Sequence, residues 1–133
     1  LEFQHSAILE VSYSFVANSQ WILLDYPAKR KDWSDFKQVN IWLKGDGLGG
    51  DFEMIVREED GDRWYCFLRG AFLTSDWKLF SFGFDKFELP EWALKGDCQR
   101  TFKQVVGYSL LFERHDSAVG KIKKISIGNM FLS

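Results

Sequence analysis

The chain is short of the residues that cross-link a fold or hold metals. It has two cysteines, Cys66 and Cys98, in 133 residues, too few for a disulfide framework or a four-ligand zinc site. Cys66 lies inside an apolar run, where a buried free thiol is expected; a single Cys66–Cys98 bridge is the alternative. His5 and His115 stand far apart, outside any ligand-spaced motif. Charges interrupt every apolar stretch before the roughly 20 residues that a membrane-spanning helix needs, so no membrane partner is expected. Charge of one sign is also lacking: 17 basic against 19 acidic residues leave a net charge of −2 and a pI near 5.7. A polyanion meets no global attraction, and nucleic-acid binding would need a local basic patch. The short runs Lys29-Arg30-Lys31 and Lys121, Lys123 and Lys124 lack the interleaved aromatics of a single-strand platform. Charged strand edges that discourage aggregation account for them. The chain opens at Leu1 with neither an initiator Met nor a signal-peptide pattern, and reads as a module of something longer.

Apolar and aromatic residues are plentiful. Hydrophobic residues make up 46% of the chain, which excludes a disordered polypeptide. Six Trp, four Tyr and 13 Phe make 17% of it aromatic, so either the core is ring-rich or some rings face outward to bind something flat. No stretch sustains a 3.6-residue apolar period, whereas period-2 alternation recurs throughout. Residues 7–16, 21–26, 39–44, 51–58, 63–69, 77–82, 105–112 and 122–132 read as about eight short strands, with Asp60-Gly61 as a hairpin turn. The expected fold is an all-β antiparallel sandwich of jelly-roll topology, one domain over residues 1–133, with no repeat or linker dividing it.

A jelly-roll order puts the first, last, third and sixth strands in one sheet, and 21–26, 105–112, 51–58 and 63–69 in the other. Alternation then lists the side chains pointing away from the core on the second sheet: Trp21 and Asp25, Glu53 and Arg57, Tyr65 and Arg69, Ser109 and Glu113. Aromatics and hydrogen-bonding charges on one face make a candidate site. Trp92, after Pro90 in a polar loop, is a ring at a loop tip, suited to stacking on the apolar face of a sugar. Trp64 shares parity with Cys66 and Leu68 and belongs to the core. Trp77 is expected to cap the core, Trp33 to plug one end of it, and Trp42 to point outward from the other sheet, exposed or covered by the N-terminal region.

Catalytic signatures are missing: there is no nucleophile elbow, Walker loop, dinucleotide fingerprint or HExxH. The glycine-rich residues 45–50 are followed by neither Lys-Ser/Thr nor a helix, and read as a loop. Glu53 and Glu113 form a carboxylate pair that a glycosidase could use, but surface carboxylates on strands are far commoner, and no enzyme is expected. Glu58-Glu59-Asp60-Asp62 could be read as calcium ligands, since hard cations want several oxygens, but it lacks EF-hand spacing and sits at a hairpin tip, so a solvated turn is the preferred expectation.

Asp32-Trp33-Ser34-x-Phe36, Ile41-Trp42-Leu43-Lys44-Gly45-Asp46-Gly47, Asp60-Gly61-x-x-Trp64-Tyr65, Asp76-Trp77-Lys78 and Phe84-Asp85-Lys86-Phe87 together resemble bacterial carbohydrate-binding modules. The likeness is to the family 11 type within the galactose-binding-like jelly-roll group, over about residues 8–132. A looser resemblance links the chain to the complex I intermediate-associated domain, which would imply a protein-interaction or assembly role. The first resemblance implies a non-catalytic module binding β-glucan, cellulose or a related polysaccharide or oligosaccharide in a cleft. It also implies a tethered catalytic domain, typically a glycoside hydrolase, and a secreted or cell-surface bacterial parent. By motif position it places a ligand-contacting carboxylate on Asp60 and further contacts near Glu91 and Trp92. Relatives hold a structural calcium through an opening Asp-Asp-Phe-Glu strand and a late Asp-Asn. No such opening precedes Leu9, and Gly128-Asn129 stands at the second position, so no cofactor is carried over and calcium is left open. The expected carbohydrate contacts are Trp21, Asp25, Glu53, Arg57, Asp60, Tyr65, Arg69, Trp92 and Glu113.

Overall fold

Alternating apolar side chains can be buried only if two sheets face each other, and the chain does this. The computed structural model describes residues 2–6, 8–14, 21–47, 49–71, 74–93, 95–113 and 122–133, leaving aside the side chains of Glu2, His5, Glu113, Ile122 and Lys123. Among the described residues there are nine strands and one 3-10 turn, Phe84–Lys86. The strands are β1 Glu2–His5, β2 Leu9–Ser14, β3 Trp21–Pro27, β4 Gln38–Lys44, β5 Asp51–Glu58, β6 Arg63–Leu68, β7 Trp77–Gly83, β8 Val105–Glu113 and β9 Ile122–Leu132. One sheet runs β1–β9–β4–β7, with β2 also paired to β9, and the other runs β3–β8–β5–β6. Every pairing is antiparallel. The expected division of strands between the sheets is the one observed. The addition is β1, which pairs with the last residues of β9 while β2 takes its first half.

The inner faces make one core. Phe52, Met54 and Val56 of β5 and Tyr108, Leu110 and Phe112 of β8 meet Val39, Ile41 and Leu43 of β4 and Ile125, Ile127, Met130 and Leu132 of β9. Phe52 lies between Phe112 of its own sheet and Phe82 of the other, with ring centres 5.6 and 5.9 Å away. Each such ring contributes about 1.5–3 kcal/mol on burial. Trp33 plugs one end as expected: it is fully buried, its indole N–H donates to the Arg30 carbonyl at 2.6 Å, and it packs on Phe84, Phe102 and Tyr108. Trp64 is in the core.

Three expectations need correction. Trp77 does not cap the core; it is 39% exposed on the outer face of its sheet, beside Trp42, Ile8 and Gly128. Glu53 and Arg57 lie on the outer face but are not solvated, Glu53 being 4% exposed and Arg57 half-buried. At the β5–β6 hairpin the turn residues Glu59, Asp60 and Gly61 are exposed as expected, but the flanking acids are not: Asp62 is fully buried and Glu58 nearly so. The turn itself matches its sequence, with Gly61 at φ +105°, a conformation other residues rarely adopt. Phe15, expected on the inner face of the first strand, lies outside the described residues.

The two cysteines are free, Cys66 buried and Cys98 exposed, so the bridge is not formed. Burial, aided by the charges of Glu88 and Asp85, pushes the Cys66 thiol up to about 11. A thiol-reactive disulfide reagent at pH 8 should therefore modify one thiol rapidly in the native protein and the second only after denaturant is added. Two rapid equivalents would contradict this placement of Cys66.

Candidate functional site

Antiparallel partners set side chains directly opposite one another, so the outer face of β3–β8–β5–β6 reads in rows across four strands. At one end Trp21 is paired with Glu113, and Glu113 with Asp51. Next come Leu23, Leu111, Glu53 and Phe67, then Asp25, Ser109, Ile55 and Tyr65, then Pro27, Gly107, Arg57 and Arg63. The predicted parity holds on all four strands. The β-bulge where the β5–β8 register shifts lies between Arg57 and Glu58, past the last of these rows.

Each predicted residue can now be placed. Trp21 is 60% exposed at the start of β3. The exposed Asp25 accepts a short hydrogen bond from the Ser109 hydroxyl on the neighbouring strand. Glu53 is buried mid-face, between Leu111 and Phe67 in register. Arg57 reaches across β8 to donate to the Tyr26 carbonyl at 3.3 Å. It can do so because residue 107 has no side chain: a Cβ there would run into the guanidinium and come within 2.6 Å of the Tyr26 carbonyl oxygen. The buried Nε of Arg57 has no protein partner. Arg69 lies just past β6 and pairs loosely with Asp51, at 3.8 Å. Glu113 closes β8 opposite Trp21, and its side chain lies outside the described residues.

Tyr65 and Trp92 come together through the backbone. Tyr65 and Glu88 exchange two N–H···O bonds of 2.8 Å, which lays residues 88–92 along the open edge of β6. The turn closed by Ala93 N–H to the Pro90 carbonyl, at 3.0 Å, then presents Trp92, 69% exposed. The Tyr65 and Trp92 rings meet edge-on, with centres 4.9 Å apart, and Phe67 stacks on Tyr65 from the other side at 6.3 Å. Tyr65 is left 7% exposed, so it is not the open platform its parity suggests. Burial raises its phenol pKa; Arg63 beside it lowers the value and Glu53 raises it. Phe67, 46% exposed, and Asp51 were missed by sequence reasoning. Parity marks both, since Phe67 shares it with Tyr65 and Asp51 with Glu53. A groove of about 210 Å³ runs between Asp51, Glu53, Phe67 and Arg69.

Asp60 does not join this face. It sits at the hairpin tip, where its carboxylate accepts the backbone N–H groups of Asp62 at 3.0 Å and Asp97 at 3.1 Å. These bonds hold its pKa below the usual range. Burial raises the pKa of neighbouring Glu58, against the hydrogen bonds it accepts from Trp64, Phe102 and Thr101. Gly128 and Asn129, at the calcium position suggested by the resemblance, border a small pocket with Ile8, Trp42 and Trp77. That lining contains no carboxylate and does not suit a calcium ion.

No protein-family model matches the sequence, and no curated protein is similar to it. Solved structures share its fold. A family 11 carbohydrate-binding module from Clostridium thermocellum, in complex with a β-1,3-1,4-mixed-linked tetrasaccharide, superposes with a TM-score of 0.71 at 18% identity, over 92% of this chain and 73% of that one. The family 11 module of the cellulosomal cellulase Lic26A-Cel5E from the same organism gives 0.66 at 18% identity, over 92% and 72%. An agarase gives 0.64 at 11% identity, over 95% of this chain and 20% of the enzyme. The fold is thus the jelly-roll sandwich of the family 11 modules.

The packing of Arg57 over Gly107 is directly testable. Gly107→Ala must move the Tyr26 backbone as well as the guanidinium, and should destabilise the protein by about 1–3 kcal/mol in urea unfolding. A change below about 0.5 kcal/mol, the scale of ordinary surface substitutions, would contradict the contact.

Proposed function

We propose that this chain is a non-catalytic carbohydrate-binding module whose site is the outer face of β3–β8–β5–β6 together with the loop carrying Trp92. The observation that carries the reading is the convergence of exposed rings and forked polar groups on one sheet face. Trp21 and Trp92 stand at opposite margins of the face, with Asp25, Glu53, Arg57 and Arg69 between or beside them. Sugars offer both surfaces that such a face can engage. Axial C–H groups lie against aromatic rings, and vicinal hydroxyls match the geometry of carboxylates and guanidinium forks. The exposed Leu23 and half-buried Leu111 suit a ring's C–H face better than they suit a polyanion.

Charges set among the rings favour a single soluble chain over a crystalline surface, which a flat aromatic strip would suit better. The likeness in fold to modules that include one crystallised with a mixed-linked β-glucan oligosaccharide supports β-glucan as the first ligand class to test. Affinity is modest, because each hydroxyl is desolvated for the bond it makes. A hydrolase is disfavoured: Glu53, one member of the carboxylate pair that such chemistry would use, is buried between Leu111 and Phe67. In this reading the module is secreted with a tethered catalytic domain and holds that enzyme on its substrate. A protein-assembly role for the same sandwich has no specific observation in its favour.

Affinity electrophoresis in gels containing soluble mixed-linked β-glucan, mannan or xylan decides the matter. The wild-type protein should be retarded by at least one glycan, with β-glucan the foremost candidate. Trp92→Ala and Trp21→Ala should each weaken binding about tenfold, the equivalent of roughly 1.4 kcal/mol, with little change in melting temperature. No retardation by any of the three, or undiminished binding by both variants, would overturn the proposal.

A further inference from the structure

The hairpin tip excluded from the glycan face has chemistry of its own. Glu58, Asp60 and Asp62 bring carboxylate oxygens within 4.8 Å of one another. Ligands of one cation bound at about 2.4 Å lie no farther apart than that. Acidic clusters are common at surfaces, but here only Asp60 is exposed: Asp62 is fully buried and Glu58 is 6% exposed. The hydrogen bonds at the tip leave one conspicuous gap. Both oxygens of Asp60 accept backbone N–H groups, both oxygens of Glu58 accept donors, and Asp62 Oδ1 accepts the Gly96 N–H. Asp62 Oδ2 is buried with no partner. Leaving a carboxylate oxygen desolvated and unpaired is costly. Among the described residues no lysine or arginine forms an ion pair with any of the three. Ionised carboxylates repel one another, and a cation held between them relieves that repulsion.

We propose that Glu58, Asp60 and Asp62 form a calcium-binding site that ties the β5–β6 hairpin to the 95–102 segment. The donor set is hard oxygen, as calcium prefers, and carboxylates carried by a hairpin rather than a rigid octahedral cage suit its flexible coordination. The hydrogen-bonded oxygens keep further lone pairs for a metal. Glu58 and Asp60 border a groove of about 420 Å³, lined also by Glu59, Asp97 and Lys103, which gives a cation access to two of the three carboxylates. Gly96 fits the same picture. A Cβ there would strike the Asp60 backbone and carboxyl, so only glycine lets the second segment come close enough to donate its N–H to Asp62. The site is distinct from the Gly128-Asn129 position, and it does not depend on glycan binding.

Calcium titration of chelator-stripped protein tests the site, with calorimetry and thermal unfolding as readouts. The wild type should bind one equivalent of Ca²⁺, and its melting temperature should rise by roughly 5–10 °C at saturation. Asp62→Asn and Asp60→Asn should each weaken Ca²⁺ binding by about tenfold or more. Stripped Asp62→Asn should melt no lower than the stripped wild type, because removing an uncompensated charge relieves repulsion. Terbium luminescence locates the ion: the Trp64 indole donates to Glu58 at 2.8 Å, so Trp64→Phe should bind Tb³⁺ yet lose most of the sensitised emission. The proposal is overturned if the stripped wild type shows neither heat nor a thermal shift with Ca²⁺. It is equally overturned if both carboxylate variants bind Ca²⁺ like the wild type.

Discussion

The structure depends on the packing of two inner sheet faces. Phe52 and Phe112 on one sheet and Phe82 on the other meet ring to ring, and the aliphatic residues of β4, β5, β8 and β9 close around them. Once those faces are committed, strict alternation leaves every second residue of β3, β8, β5 and β6 no choice but to face outward. The candidate site is therefore a consequence of the core. A one-residue slip in the register of β5 would bury Arg57 in the core and send Phe52 to the outside, which the core's tight packing forbids.

Aromatic residues serve two purposes in this chain. Inside, Trp33, Phe84, Phe87 and Phe102 interlock at one end of the sandwich, mostly edge to face. Outside, Trp92 rides on Tyr65, and Trp42 and Trp77 flank Gly128 on the other sheet. The edge-on contact with Tyr65 orients the exposed Trp92 ring in advance, which would lower the ordering cost of the proposed glycan contact. The 88–92 segment that carries Trp92 leads directly into the 95–102 segment tied to the hairpin. The candidate site and the acidic tip are thus consecutive stations on one stretch of chain.

Much of this was legible in the sequence, and the reasons are physical. Period-2 alternation is local, so the eight longer strands, their division between the sheets and their inward residues could be read from residue types. The outward set could be read too, because Trp21, Asp25, Glu53, Arg57, Tyr65 and Ser109 all lie on one side of the bulge after Arg57. β1 has only four residues, too few to show a period, and owes its form to the free end of β9. Depth of burial was not legible. Asp62 looks like a surface carboxylate and Tyr65 like an open platform until residues 88–92 and 95–97 fold against them, and Glu53 looks exposed until it is set between Phe67 and Leu111. Trp77 looked like a core cap because it begins a strand after a turn, but it shares parity with Leu79, which pairs with the outward Trp42, and so lies on the outer face beside Gly128.

The central claim is that one sheet face, and not the other, meets a sugar. Chemical-shift mapping by NMR during titration with a mixed-linked β-glucan tetrasaccharide tests it most directly. The account predicts perturbations concentrated on the indole N–H groups of Trp21 and Trp92 and on backbone amides of β3, β8, β5 and β6, with those of Trp42 and Trp77 unmoved. Shifts confined to Trp42 and Trp77, or none at saturating sugar, would contradict it.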